Sequence, residues 1–229
     1  MINISKMSKY YGEYPAVIDV SFNISKGESI GLLGPNGAGK STTMKVMTGY
    51  TPPTSGNVNI GGHDIIKNSI DARKLIGYLP ESVPLYTDMT VRDYLKYMGS
   101  LRGMNKNISK RVDEVISLTS LNQYKNVLIS KLSKGYRQRT GIAQAILHKP
   151  KILILDEPTI GIDPVQVVET RKLIQNLGED HTLILSSHIL PEVTSICKRV
   201  LVIHEGKIVA DDTPENLSNR LQTSNLCEI

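Results

Sequence analysis

The sequence predicts an α/β fold with a mainly parallel sheet, an N-terminal antiparallel β subdomain and an inserted helical subdomain at about 83–150. Three observations lead there. Two short, almost wholly apolar runs, ILIL at 152–155 and TLILSS at 182–187, flank a helical stretch from about Pro164 to Leu177. Apolar strands joined through a helix belong to a parallel sheet covered on both faces. The stretches INISKMSKYYG and AVIDVSFNISKG near the start instead alternate apolar and polar residues, as half-buried strands do. Between these regions Val91, Tyr94, Leu95, Met98 and Leu101 recur at the spacing of an amphipathic helix.

The remaining elements follow in order. Gly12 and Gly27 punctuate the first strands, and the apolar run SIGLLG leads directly into GPNGAGKST. TTMKVMTGY has helical spacing, with Met44, Met47 and Thr48 on one side, and stops at Gly49. TPPTSG is a turn-rich break and NVNIGG another short strand. Within the insert a second helix is marked by Val112, Val115, Ile116 and Thr119, with a loop around Gly103, Asn105 and Asn107. Asp163 before Pro164 gives the later helix its start signals. RVLVIHEGKIVAD reads as a hairpin turning at Glu205-Gly206. Neither repeats nor linkers divide the sequence, so residues 1–229 are expected to fold as one unit.

Composition narrows the function classes. The chain has 229 residues, 40% hydrophobic and 21% charged, ordinary for a soluble globular protein. It lacks a run of about 18 apolar residues that could span a bilayer. The first residues show no apolar stretch after the early charges, so a signal peptide is not expected and the location expected is cytoplasmic. Cys197 and Cys227 form no close-spaced pair, and the five histidines are scattered, which argues against zinc and for free thiols. The net charge of +5 is uneven: residues 92–139 hold 11 Lys and Arg against 3 Asp and Glu. Such a segment is either a solvated helical face or a surface for an anionic partner.

Gly34-Pro35-Asn36-Gly37-Ala38-Gly39-Lys40-Ser41 fits the phosphate-loop pattern in full, with Thr42 following, a strand before it and a helix after it. Glycines let successive backbone N–H groups turn inward around phosphate oxygens, and the helix adds its positive N-terminal end. Lys40 is placed to charge-pair the β- and γ-phosphates, and the Ser41 hydroxyl to ligate Mg²⁺. ILILDEP supplies the acidic partner, because an apolar strand ending in Asp156 delivers a carboxylate to the edge where the loop emerges. Glu157, next along, is then available to polarise an attacking water. The core is therefore that of a P-loop NTPase.

Together these motifs resemble the nucleotide-binding domain of ABC transporters over essentially the whole chain. Tyr11 stands where that family stacks an aromatic ring on adenine. YLPE at 78–81 falls at the Q-loop, LSKGYRQR at 132–139 at the signature, GIDP at 161–164 at the D-loop, and SSH at 186–188 at the switch histidine. The resemblance implies ATP with Mg²⁺, a second nucleotide-binding domain as partner, and an integral membrane permease on another chain, most similar to the exporter-type branch. It places the chain peripherally on the inner face of the cell membrane. It also implies that Ser133 and Gly135 contact the γ-phosphate of ATP held by the partner domain, that Asp163 links the two half-sites, and that His188 contacts the γ-phosphate and the water.

Three positions depart from the family pattern. Glu81 replaces the Q-loop glutamine, and is expected either to ligate Mg²⁺ with more charge or to be a surface loop residue. Lys134 replaces a signature glycine and Tyr136 a signature glutamine, and Tyr136 is left to stack near the ribose or pack at the interface. A soluble relative acting on ribosomes or nucleic acid is the alternative. The uninterrupted stretch from Lys40 to Asp156 and the scarcity of aromatics among the basic residues speak against it, so no nucleic acid is expected.

Overall fold

The computed structural model describes residues 1–217 and 219. Strands β1 (Ile2–Tyr11) and β2 (Tyr14–Ile24) precede β3 (Ser29–Leu33), which leads through the glycine loop into α1 (Lys40–Met47). Then come β4 (Ser55–Ile60), β5 (His63–Asp64), α2 (Ser69–Lys74) and β6 (Ile76–Leu79). The insert supplies α3 (Val91–Leu101), α4 (Ile108–Leu118) and α5 (Lys134–Ile146). The chain returns through β7 (Ile152–Asp156), α6 (Pro164–Asp180), β8 (Thr182–Ser187), α7 (Leu190–Ile196), β9 (Arg199–His204) and β10 (Lys207–Asp212).

The alternating N-terminal segments form the four-stranded antiparallel sheet β2-β1-β4-β5. Ile2, Ile4 and Met7 of β1 face inward, whereas Asn3 and Ser5 face water. The apolar strands form the second sheet, ordered β10-β9-β3-β8-β7-β6, parallel except for the edge strand β10. Both faces of its centre are covered, as continuous apolar runs require. Ile152, Ile154 and Ile184 pack with the N-terminal sheet and with Met44 and Met47 of α1. Their neighbours Leu153, Leu155, Leu183 and Leu185 pack with the insert and the later helices. Each such side chain contributes about 1.5–3 kcal/mol by burial, so a polar residue at any of them would open one of two cores. The α/β architecture expected from the sequence, with its mainly parallel sheet, antiparallel N-terminal sheet and helical insert, is the one observed.

Two differences of detail have local causes. α6 runs to Asp180 rather than ending near Leu177, because Gly178 keeps helical backbone instead of turning left-handed, and the helix stops only where His181 turns extended. β6 has only four residues, too few for periodicity to reveal, and gains strand character from its parallel pairing with β7.

Several arginines of the basic segment of the insert are tied internally. Arg92 pairs with Asp113, and Arg139 with Glu169. Arg111 donates to Leu147 O at 2.9 Å and Ile146 O at 2.6 Å, binding α4 to the end of α5. Arg137 donates to Ile129 O and Ser130 O. These arginines hold the lobe together, whereas Lys106, Lys110, Lys131 and Lys134 are exposed. Among the described residues, no helix is long and apolar enough to cross a membrane. Cys197 is buried with a free thiol whose pKa burial pushes up to about 12, whereas Cys227 lies outside the described residues.

What the parallel register does for chemistry is to align strand ends. Leu33 sits opposite Ser187, and Asp156 opposite Ser186. The glycine loop, the DE pair and the residue after β8 therefore leave the sheet at one edge.

Candidate functional site

The loop between β3 and α1 is held by features only glycine allows. Gly37 and Gly39 have φ of +82° and +107°. A Cβ on Gly39 would lie 2.7 Å from Ala16 O, and one on Gly34 would lie 2.3 Å from Ile203 O. Gly34 N donates to Ser187 O and Ala38 N to Pro35 O, while Pro35, Asn36 and Gly37 remain exposed to whatever the loop encloses. Lys40 opens α1 but turns back over the loop, with Nζ 2.8 Å from Gly34 O and 3.2 Å from Pro35 O. The same ammonium lies 3.3 Å from Glu157 Oε1, and both side chains are about 95% buried, at 6% and 5% exposure. Thus the cation predicted to meet phosphate is paired with the predicted base.

The acidic side of the site is equally ordered. Asp156 Oδ1 accepts from Ser186 Oγ at 2.6 Å and from Ser41 Oγ at 3.1 Å. Burial pushes the Asp156 carboxyl above its usual range against these bonds, with the charges of Glu81 and Glu157 adding to the rise. Glu157 has φ +47°, a left-handed turn that carries its side chain away from the course of β7. Its backbone N–H donates to Ser186 Oγ at 2.9 Å, and its Oε2 lies 2.9 Å from Nδ1 of the half-exposed His188. Ser186, the first residue of SSH and two before His188, thus anchors both acids.

These groups surround a cavity of about 470 Å³ lined by Tyr11, Lys40, Ser41, Thr42, Glu81 and Glu157 among others. Tyr11, half exposed at the end of β1, stands at its rim with Lys9 Nζ 5.2 Å from the ring centroid. Ser41 Oγ, Asp156 and Glu81 are an all-oxygen donor set, and Glu157 adds a further carboxylate beside it. Both features suit a hard divalent cation. Glu81 is exposed and lines the cavity, so its position joins the two readings the sequence left open.

Three predicted residues lie elsewhere in the single chain. Ser133 is exposed and caps α5, accepting from Tyr136 N at 3.4 Å. Asp163 caps α6, accepting from Gln166 N at 3.0 Å. Gly135 is buried against α6, where a Cβ would stand 1.6 Å from Gln166 Oε1. None of the three lines the phosphate cavity. Tyr136 packs its ring on Tyr124, with centroids 4.0 Å apart, and Arg139 lies 5.5 Å from its centroid. Packing, rather than a ribose platform, is its role within the chain.

Sequence reasoning missed Tyr14, Ala16, Ser186 and Glu192. Tyr14 and Ala16 also line the cavity. An aromatic residue just past the turn from Tyr11 was a signal for the first. Glu192 is 4% exposed and bonded on both oxygens, which no local pattern announces.

Comparison with known proteins agrees with this geometry. Residues 17–160 match the family described as ABC transporter. The linearmycin resistance ATP-binding protein LnrL of Bacillus subtilis is 38% identical over 225 residues, spanning 96% of this chain and 72% of that protein. The lantibiotic transport ATP-binding protein SrtF of Streptococcus pyogenes is 36% identical over 232 residues, spanning 100% and 99%. A solved structure of the ATP-binding subunit of an ABC transporter superposes with a TM-score of 0.85 at 26% identity, covering 97% of this chain and 93% of its own.

Proposed function

This chain belongs to the ABC transporter family, and from that premise we propose that it binds and hydrolyses ATP to power transport, in the direction of export, through a separate permease in the membrane. The observation that carries the reading is the convergence of Lys40, Ser41 and Glu157 on one cavity at the carboxyl edge of the sheet, with Asp156 bonded to Ser41 and His188 to Glu157 behind them. Relatives named for antibiotic resistance and lantibiotic transport support the direction. The whole chain acts as one ATP-binding domain, its helical subdomain at about 83–150, and lies peripherally on the inner face of the membrane against its permease.

Backbone N–H groups of residues 34–42 receive the phosphates, as a glycine-rich loop before a helix does. Lys40 leaves the carbonyls of Gly34 and Pro35 to meet them, and this frees Glu157 from its cation. Mg²⁺, held by Ser41 and Asp156 with Glu81 beside them, would neutralise charge at the phosphates. Glu157 orients water in line with the γ-phosphorus and accepts its proton, and His188, held through Nδ1, steadies that carboxylate and faces the γ-phosphate. Tyr11 stacks on the adenine. Ser133 and Gly135 of a second nucleotide-binding domain close over the phosphates, with Asp163 linking the half-sites. The exposure of Ser133, away from its own chain's cavity, supports this sharing.

Glu157→Gln tests the proposal. ATP should still bind and a closed dimer accumulate, while turnover falls by about 100-fold or more. Hydrolysis at the parent rate would remove Glu157 from the mechanism. Recovery of an integral membrane protein with the tagged chain from detergent extracts tests the permease. Its absence there, with the chain found on ribosomes, would favour the soluble alternative.

A further inference from the structure

We infer that Glu192, which the hydrolytic reading does not use, is a positioning residue that holds the two segments carrying Glu157 and His188 in register. The inference rests on the roles proposed for that pair. A carboxylate taken out of water is unfavourable unless its oxygens are bonded. At Glu192 both are. Oε1 accepts from Thr159 Oγ1 at 2.5 Å and from Arg171 Nη2 at 3.0 Å, and Oε2 accepts from Ser187 Oγ at 2.7 Å.

The partners matter more than their number. Thr159 lies two residues beyond Glu157, in the turn where Ile160 N donates to Glu157 O at 3.1 Å. Ser187 is the residue before His188, and its hydroxyl oxygen also accepts from Ile189 N, the residue after, at 3.1 Å. Of the neighbours of His188, Ser187 is therefore tied directly to the carboxylate and Ile189 through Ser187, and that carboxylate also holds the turn that follows Glu157. Arg171, from the middle of α6, supplies the counter-charge. An apolar side chain of similar volume would fill the same space, and for stability alone often does so at least as well. It could not set the distance between the ends of two strands. Burial raises the Glu192 carboxyl and its three bonds lower it, with a net fall below the usual range, so it is ionised at neutral pH.

Steady-state ATPase of the purified full chain, with Glu192→Ala, Glu192→Gln and His188→Ala singly and combined, tests this. Glu192→Ala should lower kcat by about tenfold and leave KM for ATP within about twofold, because the phosphate loop is untouched. Glu192→Gln keeps an acceptor for Thr159 and Arg171 and should recover most of the loss. In the His188→Ala background, Glu192→Ala should cost less than about twofold more, since residues acting through one another are not additive. Equal losses in kcat and KM without rescue, or a full tenfold further loss on His188→Ala, would overturn the assignment and leave Glu192 a structural acid. Should Glu192→Ala fail to fold, Ser187→Ala removes a single bond of the clamp, and it should show the same kcat-only loss and the same dependence on His188. If His188→Ala and Glu157→Gln both hydrolyse ATP at the parent rate, the catalytic roles proposed for that pair fail, and this inference with them. If they are impaired and the Glu192 variants are not, only this inference fails.

Discussion

The carboxyl edge of the parallel sheet and the leading ends of α5 and α6 carry the same kinds of polar residue and use them differently. At the sheet edge each functional side chain is bonded to another: Lys40 to Glu157, Glu157 to His188, Asp156 to Ser41. At the helix ends Ser133 and Asp163 are bonded to backbone N–H groups of their own helices. The first region is closed on itself, side chain to side chain. The second is stabilised as a pair of helix caps and presented outward. Caps are worth about 1 kcal/mol each, whereas a buried ion pair is governed by the much larger cost of desolvating charge. Mutations should therefore separate the two regions by size of effect and by kind.

The largest effects belong to the sheet edge. Glu157→Gln should reduce turnover by about 10²–10³-fold while preserving ATP binding, measured by phosphate release and by equilibrium binding of ATP. Lys40→Met should abolish turnover as well, and should also lower the free energy of unfolding by about 3 kcal/mol, because it leaves Glu157 buried opposite no cation. Denaturant titration measures that loss, and adding Glu157→Gln to Lys40→Met should restore most of it. Should the double variant stay as unstable as Lys40→Met alone, the pair is not what holds this region.

The two regions were also unequally legible in the sequence. GPNGAGKST and ILILDEP each carry their context with them, strand before and helix or turn after, so local pattern was enough to place Lys40, Ser41, Asp156 and Glu157. Asp163-Pro164 announced the start of α6 for the same reason. What escaped was whatever depends on distant chain. β6 is a strand because β7 lies beside it, and Glu192 is buried because three separate segments converge on it. Nor does any spacing show that Lys40 rests on Glu157, since the contact spans 117 positions from 40 to 157. The excess of basic residues in the insert was read without the partners of Arg92, Arg111, Arg137 and Arg139, which are bound within the protein, whereas Lys106, Lys110, Lys131 and Lys134 are exposed.

At the helix ends, effects should be smaller and divisible. Asp163→Ala removes the cap on α6 and should cost about 1 kcal/mol. Asp163→Asn keeps a capping oxygen, so unfolding free energy should stay within a few tenths of a kcal/mol of the parent. If the carboxylate links half-sites, Asp163→Asn should nevertheless lower turnover several-fold. Parent-like ATPase in the asparagine variant would reduce Asp163 to a cap and erase much of the distinction between an assembled and a presented region.

The smallest effect lies at the far end of α5. His148 follows that helix, with Nε2 3.0 Å from Ile76 O and 3.2 Å from Arg102 Nη1. Burial, and then the charge of Arg102, push its pKa from 6.5 down to about 4. The unfolded chain takes up the proton near pH 6.5 and the folded chain only near pH 4, so between those values unfolding is favoured by proton uptake. The contribution of neutral His148 to stability is complete above pH 6.5, falls as the pH drops toward 4, and changes no further below it. Melting temperature followed across this window should therefore fall more steeply in the parent than in His148→Gln, with ATP turnover at neutral pH alike in both. His148 lies just past one end of the helix whose other end carries Ser133, so the experiment loosens the anchor of the presented region without touching the assembled one. A parallel loss of ATP binding in the same pH window, absent from His148→Gln, would show that the two regions are not mechanically separate.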